Sequence, residues 1–476
     1  IRSALTRERY RMPKELQKMV DRNISAQENG EEAGEAEEAD LLSMGDPYAI
    51  YPSLASCVVQ DMALPKLPRW VDTLLKVTLP GYRFITLCGV APAMMTLLSD
   101  VFKKNGTKAP ARLNGWSHWS GLSGSGKHQL KVVVDQLIKP IKEEDNRKRE
   151  RLNSIIAFNQ TAKDGEKKEV PVMGFRILEC DTTRKAHAAQ MEALKGKKTY
   201  TFAEELSSLN LNRAGYYYRA DFCRLFAENG MVGYLNATND SKSILTECNW
   251  DVTTTSTHDQ TLAQWAKDVQ NGAAQRILFC LVPDNTWQPK PKEVQWSEED
   301  IAYLDRATSL MMKMQGLVLT PRLDKALDDW VENVRVSLMS VPKGQRNVER
   351  ARFRFRTAEI AHTFCVVLHC CYIVQAILDR EDELNANINS QLSTLNALKQ
   401  DVSASCEQIA QAERAVIEAQ EALEKWKLTA LDLSQYGENK QCAELATYVA
   451  DYCLDMQDRM WSKRLRAQLL TSCEGV

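Results

Sequence analysis

Eight residues, Gly121-Leu122-Ser123-Gly124-Ser125-Gly126-Lys127-His128, constrain this chain more than any other stretch. They match the phosphate-cradling pattern G-x-x-x-x-G-K-[ST] at every fixed position but the last. Glycines let the backbone fold back so that its N–H groups face phosphate oxygens. Lys127 adds a point charge, and the helix that follows adds its positive N-terminal end. Trp116 to Ser120 reads as a strand entering the loop, and Gln129 to Ile141 as a helix leaving it. His128 departs from the pattern. It stands where a hydroxyl would hold Mg²⁺, and an imidazole is a poor ligand for a hard cation. Gly121, Gly124, Ser125, Gly126, Lys127 and His128 are the candidate nucleotide-binding residues, with ATP and Mg²⁺ as the expected ligands; the alternative is an ordinary glycine-rich turn.

The 476-residue chain is long enough for two or three domains. A net charge of −2 argues against a chain that is basic overall, while leaving room for a local basic channel. Thirteen cysteines without a C-x-x-C pair suggest reduced thiols in a cytoplasmic protein. No signal peptide and no apolar run of membrane-spanning length is visible, so no membrane partner is expected.

Residues 1–60 read as an arm with an acidic, glycine-containing linker at 28–40. Residues 61–300 alternate strands and helices, which favours an α/β core with a mainly parallel sheet. Arg83 to Phe102 reads as one buried helix or a pair, and Gln129 to Gln160 as one long charged helix. Phe175 to Glu179, Thr199 to Ala203, Asn249 to Thr254 and Ile277 to Val282 are strand candidates, and Thr183 a helix cap. Residues 301–476 read as almost wholly helical. Leu384, Ile388, Leu395, Leu398, Val402, Ile409, Val416 and Leu423 keep a three-four alternation, with Ser405 filling the seam. That predicts a coiled-coil-like hairpin at about 382–433, packed on its own domain or docking a partner protein.

A nucleotide-hydrolysing site also needs an acid near a second strand end. Glu204 and Glu205 stand where a β-prone run ends; Glu204 would serve the metal and Glu205 the attacking water. They would equally suit the first turn of a helix. Thr255 and Ser256 follow a strand and could contact the γ-phosphate, or simply cap the helix after them. Arg276, just before Ile277-Leu278-Phe279, is a candidate arginine finger, in many such sites supplied by a neighbouring subunit. Lys343, Arg346, Arg350, Arg352, Arg354 and Arg356 interleave with Phe353 and Phe355. Cations with aromatics suit single-stranded nucleic acid, and equally a solvated helix face with core anchors. His362, Cys365 and His369 share a helix face, but structural zinc wants four ligands at loop spacings.

The order of these features resembles a P-loop, helicase-like domain of uncharacterised function found beside primase or VirE-like modules in mobile elements and phages of Bacteroidetes. The resemblance rests on Leu64-Pro65, the G-L-S-G-S-G-K loop and the charged helix with Arg147 and Arg149. Glu204-Glu205, Asn249 and the run from Asn271 to Pro283 (N-G-A-A-Q-R-I-L-F-C-L-V-P) complete it. It spans roughly residues 60 to 370. It implies a RecA-like or AAA+-like P-loop NTPase core and an ATP-driven DNA helicase or translocase in element replication. The partners implied are single-stranded DNA and further copies of the chain, in a ring. The other reading is a nucleotide-gated scaffold or partner-binding module with a degenerate site, to which His128 would belong.

Overall fold

Pro68, its φ fixed at −53°, precedes the first described helix, α1 (Arg69–Leu74). α2 (Arg83–Leu97) is buried along its whole length from Phe84. β1 (Asp100–Lys104) and β2 (Ala111–Arg112) lead to β3 (Trp116–Ser120), the strand entering the glycine loop. Then come α3 (His128–Leu137), α4 (Lys139–Thr161), α5 (Arg184–Ala193), β4 (Thr199–Ala203), β5 (Met231–Tyr234) and β6 (Ile244–Glu247). β7 (Trp250–Ser256), α6 (His258–Trp265) and β8 (Leu278–Leu281) complete the α/β part. The C-terminal part holds α7 (Glu298–Lys313), β9 (Gln315–Leu319), α8 (Pro321–Ser340), α9 (Val348–Gln400), α10 (Cys406–Thr429) and α11 (Lys440–Trp461). This computed structural model describes residues 66–79, 81–104, 109–163, 165–209, 230–234, 243–265, 272–283, 294–343 and 347–461. All lie in one unit, Tyr51–Ser462. The arm and acidic linker at 1–60, Pro80 and Arg346 lie outside the described residues.

The main sheet has the order β4-β7-β3-β8, and every neighbour pair is parallel. Ile177 adds a parallel bridge to Tyr200 on β4. α2 packs against this sheet at Gly89, whose carbonyl accepts from the hydroxyls of Ser117 (2.8 Å) and Thr253 (3.1 Å). At the N-terminal edge of the sheet, a fully buried pair, Lys198–Asp251 (2.7 Å), ties β7 to the residue before β4. Asp251 also accepts from the Gly115 N–H at 2.9 Å and the Thr96 hydroxyl at 3.0 Å, partners that offset part of the cost of burying its charge.

The helical region joins the sheet through aromatic and polar contacts. Phe84 of α2 meets Tyr448 and Tyr452 of α11 edge-on, at 5.3 and 4.8 Å. The Gln457 amide donates to the carbonyls of Ala274 (3.3 Å) and Ile277 (3.1 Å) beside β8. Beyond the body, α9 and α10 pair over Leu395, Ala412 and Val416, with Leu392, Leu398 and Ile409 at the sides. The heptad run is therefore an intramolecular hairpin.

Several expectations change. The helix expected over 129–160 is two, because Pro140 lacks an N–H and its ring clashes with the preceding turn; α3 ends at Leu137 and α4 starts at Lys139. The stretch from Arg83 to Phe102 stops being helical at Leu97, and its end enters β1. β1 pairs in parallel with β9, inside the region expected to be all helix. Phe175 to Glu179 supplies one bridge, at Ile177, instead of a full strand. Ser405 is no seam residue: its hydroxyl accepts from the Gln408 N–H and caps α10. Thr183 does cap α5, accepting from the Ala186 N–H. Finally, α9 is long and apolar enough to cross a membrane by length and composition, contrary to the expectation from sequence, but 78% of its most apolar window is buried in the protein.

Candidate functional site

The glycine loop closes the C-terminal end of β3. Gly124 (φ +79°) and Gly126 (φ +81°) occupy the left-handed region that side chains avoid. Gly121 is required for space instead: a Cβ there would sit 2.7 Å from Val282 Cβ and 2.9 Å from Ser125 Oγ. Two bonds seat the loop base. The Gly121 N–H donates to the Ser256 carbonyl (3.2 Å), and the Tyr82 hydroxyl donates to the Ser125 carbonyl (2.7 Å). Tyr82 also lies 3.1 Å from the Pro283 carbonyl, so it clamps the loop to the end of β8. No sequence signal marks Tyr82 for this role.

What the loop leaves unpaired defines its chemistry. Among the described residues, the backbone N–H groups of Gly124, Gly126, Lys127 and His128 donate to no acceptor. Ser125 is 2% exposed and its Oγ has no partner. Converging donors at a helix N-terminus form a nest for an anion. The Lys127 ammonium spans the loop, donating to the carbonyls of Leu122 (2.6 Å) and Gly121 (3.0 Å). Burial pulls its pKa below the usual lysine range, and the carboxylate of Glu205 opposes that shift. These groups fit a polyphosphate.

The acid pair comes to the same edge. Glu204 and Glu205 directly follow β4, and the Lys131 ammonium on α3 meets Glu204 at 3.3 Å. Lys131 was not singled out from the sequence, although its place one turn after Lys127 puts it on the same helix face. The Glu204 side chain is 63% exposed. The Thr255 hydroxyl donates to the Glu204 carbonyl and so ties the end of β7 to the acidic turn. Ser256 is fully buried, and its hydroxyl is committed to His118, Thr257 and Thr261. His128 is exposed at the first position of α3. Among the described residues, no group of three or more His, Cys, Asp or Glu is gathered as a metal site. A Mg²⁺ ion here would be held by Glu204 or Glu205 together with phosphate oxygens and water, the usual habit of this ion.

Arg276 lies elsewhere. The register aligns Ser117 with Leu278, so Arg276 stands at the level of Gly115, about 20 Å from the loop at ~3.3 Å per residue. Its guanidinium donates to the Gly272 carbonyl at 2.7 Å. Within one chain it does not meet the loop.

The basic segment is also remote. Arg350 pairs with Asp455 (2.8 Å), two residues from the Gln457 that reaches the turn holding Arg276. Arg356 pairs with Glu359 (2.6 Å), and the Arg354 guanidinium lies over Phe355 at 4.2 Å. Lys343 and Arg352 are exposed, Phe353 is buried, and Phe355 is 57% exposed.

Comparisons of the chain with protein-family models, with curated proteins and with solved structures found no match. The functional reading therefore stands on these residues.

Proposed function

We propose that the protein is a P-loop ATPase of the RecA-like or AAA+-like kind, working as a DNA helicase or translocase. One observation carries the reading: a loop with unpaired N–H groups and Lys127 meets the Glu204-Glu205 turn at one edge of a parallel sheet. The strand order supports it. β7 lies between the loop strand β3 and the acid-bearing strand β4, the arrangement expected of such a core. In this reading the loop binds the phosphates, Glu204 holds Mg²⁺, and Glu205 orients the attacking water. Arg276 reaches the nucleotide of a second copy. Lys343, Arg352 and Phe355 are the exposed groups available to single-stranded DNA.

The deciding measurement is ATP turnover with and without single-stranded DNA. Wild type hydrolyses ATP faster with DNA, and Lys127→Ala loses on the order of 10²–10³ in rate. His128→Ser raises turnover where the missing hydroxyl weakens the metal site. Protein that binds ATP but turns none over with any DNA sinks the helicase reading.

A second reading has its own observation. His128 offers no hydroxyl, and Glu204 is engaged by Lys131. A nucleotide-gated scaffold with a degenerate site would then use ATP for assembly alone. It requires ATP-dependent sedimentation without hydrolysis, unchanged in Glu205→Gln.

A further inference from the structure

Behind the loop, between β3, β7 and α6, Trp116 and six buried polar side chains form one connected network. It starts at Trp116, whose Nε1–H donates to Thr254 Oγ1 at 2.9 Å. Thr254 Oγ1 lies 2.6 Å from His118 Nδ1, and His118 Nε2 lies 2.8 Å from Thr261 Oγ1. Thr261 Oγ1 is also 2.7 Å from Ser256 Oγ, 2.9 Å from Ser120 Oγ and 2.8 Å from the Thr257 carbonyl. Ser120 Oγ in turn lies 2.8 Å from His258 Nδ1.

Thr261 is the hub, and it is over-subscribed. A hydroxyl has one proton to donate and two lone pairs. The Thr257 carbonyl can only accept, so it takes the Thr261 proton. Three groups then compete for two lone pairs. The competition resolves when one of the three turns elsewhere: Ser120 to His258, Ser256 to the Thr257 carbonyl at 3.0 Å, or His118 to Ser256 at 3.2 Å. In every arrangement Thr261 bonds a group on β3 and, through the Thr257 carbonyl, the residue that directly follows β7.

Position gives this hub its meaning. Ser120 is the last residue of β3 and Ser256 the last of β7. One residue further on lies Gly121, and the Gly121 N–H to Ser256 carbonyl bond ends the ladder between these strands. One residue back from Ser256 lies Thr255, which holds the Glu204 carbonyl. The separation of the two strand ends is therefore the separation of the phosphate loop from the acidic turn.

We propose that Thr261 is a positioning residue. Its hydroxyl braces the ends of β3 and β7 from behind the sheet and so fixes the loop relative to Glu204 and Glu205. It touches no nucleotide. The proposal rests on the ATPase reading for its effect on rate, and on geometry alone for its effect on the strand ends.

The test compares Thr261→Val, which keeps the shape and removes the hydroxyl, with Thr261→Ser, which keeps the hydroxyl. Hydrogen exchange reads the brace directly through the amide of Gly121, which ends the β3–β7 ladder, and that of Val282, which donates to the Ser120 carbonyl from the end of β8. The Val252 amide, bonded to the Gly115 carbonyl at the far edge, is the internal control. Thr261→Val speeds exchange at Gly121 and Val282 about tenfold and leaves Val252 unchanged. It lowers kcat about tenfold with ATP affinity within about twofold, since orientation is lost and binding is not. Thr261→Ser restores both readouts. The proposal is overturned by unchanged exchange at Gly121 and Val282, by an equal rise at Val252, or by failure of Thr261→Ser to restore them. Wild-type protein that never hydrolyses ATP defeats the ATPase reading instead, and the exchange comparison still decides the role of Thr261.

Discussion

His118, His187 and His369 are held neutral inside the protein. Burial pushes His118 down to about 3, with the nearby charges of His258 and Lys127 adding to it; burial alone takes His187 to about 3 and His369 to about 4. The ordinary value is about 6.5. Between pH 6.5 and about 4 the unfolded chain therefore binds protons that the folded chain refuses. The stability these sites hold is complete above pH 6.5 and drains as the pH falls toward their folded values. Each site loses about 1.4 kcal/mol per pH unit in that window, and the three together about 4. Against a typical total of ~5–15 kcal/mol, that is a substantial fraction of the stability in mild acid. Urea midpoints at pH 7, 6 and 5 are expected to fall steadily, and His187→Gln to flatten the slope by about a third. A midpoint that stays level from pH 7 to 5 rules this out. At the same scale, the loop was legible in the sequence because its chemistry is local: glycines for two turns and one lysine. Ser256 and His118 were not legible in their buried roles, because a Thr/Ser-rich strand end reads as a helix cap. The period of two that places His118 with Ser120, and Thr254 with Ser256, on one face is the signal that would have found them.

The crossing of α2 over the sheet depends on Gly89 having no side chain. A Cβ there would sit 2.6 Å from Trp119 Nε1 and 2.7 Å from a Leu130 methyl. Neither neighbour has room to yield, since the Trp119 indole donates to the Ile85 carbonyl at 3.0 Å and Leu130 is fully buried in α3. Gly89→Ala is expected to lower stability by about 1–3 kcal/mol, although alanine is the better helix former by ~1 kcal/mol. Equilibrium urea denaturation measures it, and a variant as stable as wild type would show that the crossing is loose. Because Trp119 and Leu130 flank the glycine loop in sequence, the damage should reach nucleotide affinity too. Among the elements, long amphipathic helices and the four parallel strands were legible from apolar pattern and alternation. The sheet of β1, β2 and β9 was not. β9 has one buried residue in five, and its partner β1 lies more than two hundred residues earlier, so neither strand carries a local signature. The break at Pro140 and the cap at Ser405 were present in the sequence but were overridden by the helical and heptad patterns around them.

Across the molecule, the loop and Arg276 face a geometric problem that a single chain does not solve. The loop crowns the C-terminal ends of the strands, and Arg276 stands at the N-terminal end of β8. A finger role therefore needs a second copy, placed so that one surface of a chain meets a different surface of the next. Such heterologous contacts close into rings when the rotation allows. The consequence is testable without a structure of the assembly. Glu205→Gln and Arg276→Ala each abolish turnover in a shared site while leaving ATP binding intact. Mixed in equal amounts and allowed to exchange, they regain up to about a quarter of wild-type turnover. The reason is that an interface with the loop and Glu205 from one variant, and Arg276 from the other, is complete. A site that draws all its groups from one chain regains none, because every chain in the mixture carries one lesion. Adding Lys127→Ala to the Glu205→Gln chain should leave the regained activity unchanged, since that chain contributes only its arginine. Placed on the Arg276→Ala chain, the same substitution should remove it. That asymmetry separates an arginine acting across the interface from one that merely holds the Gly272 turn in its own chain.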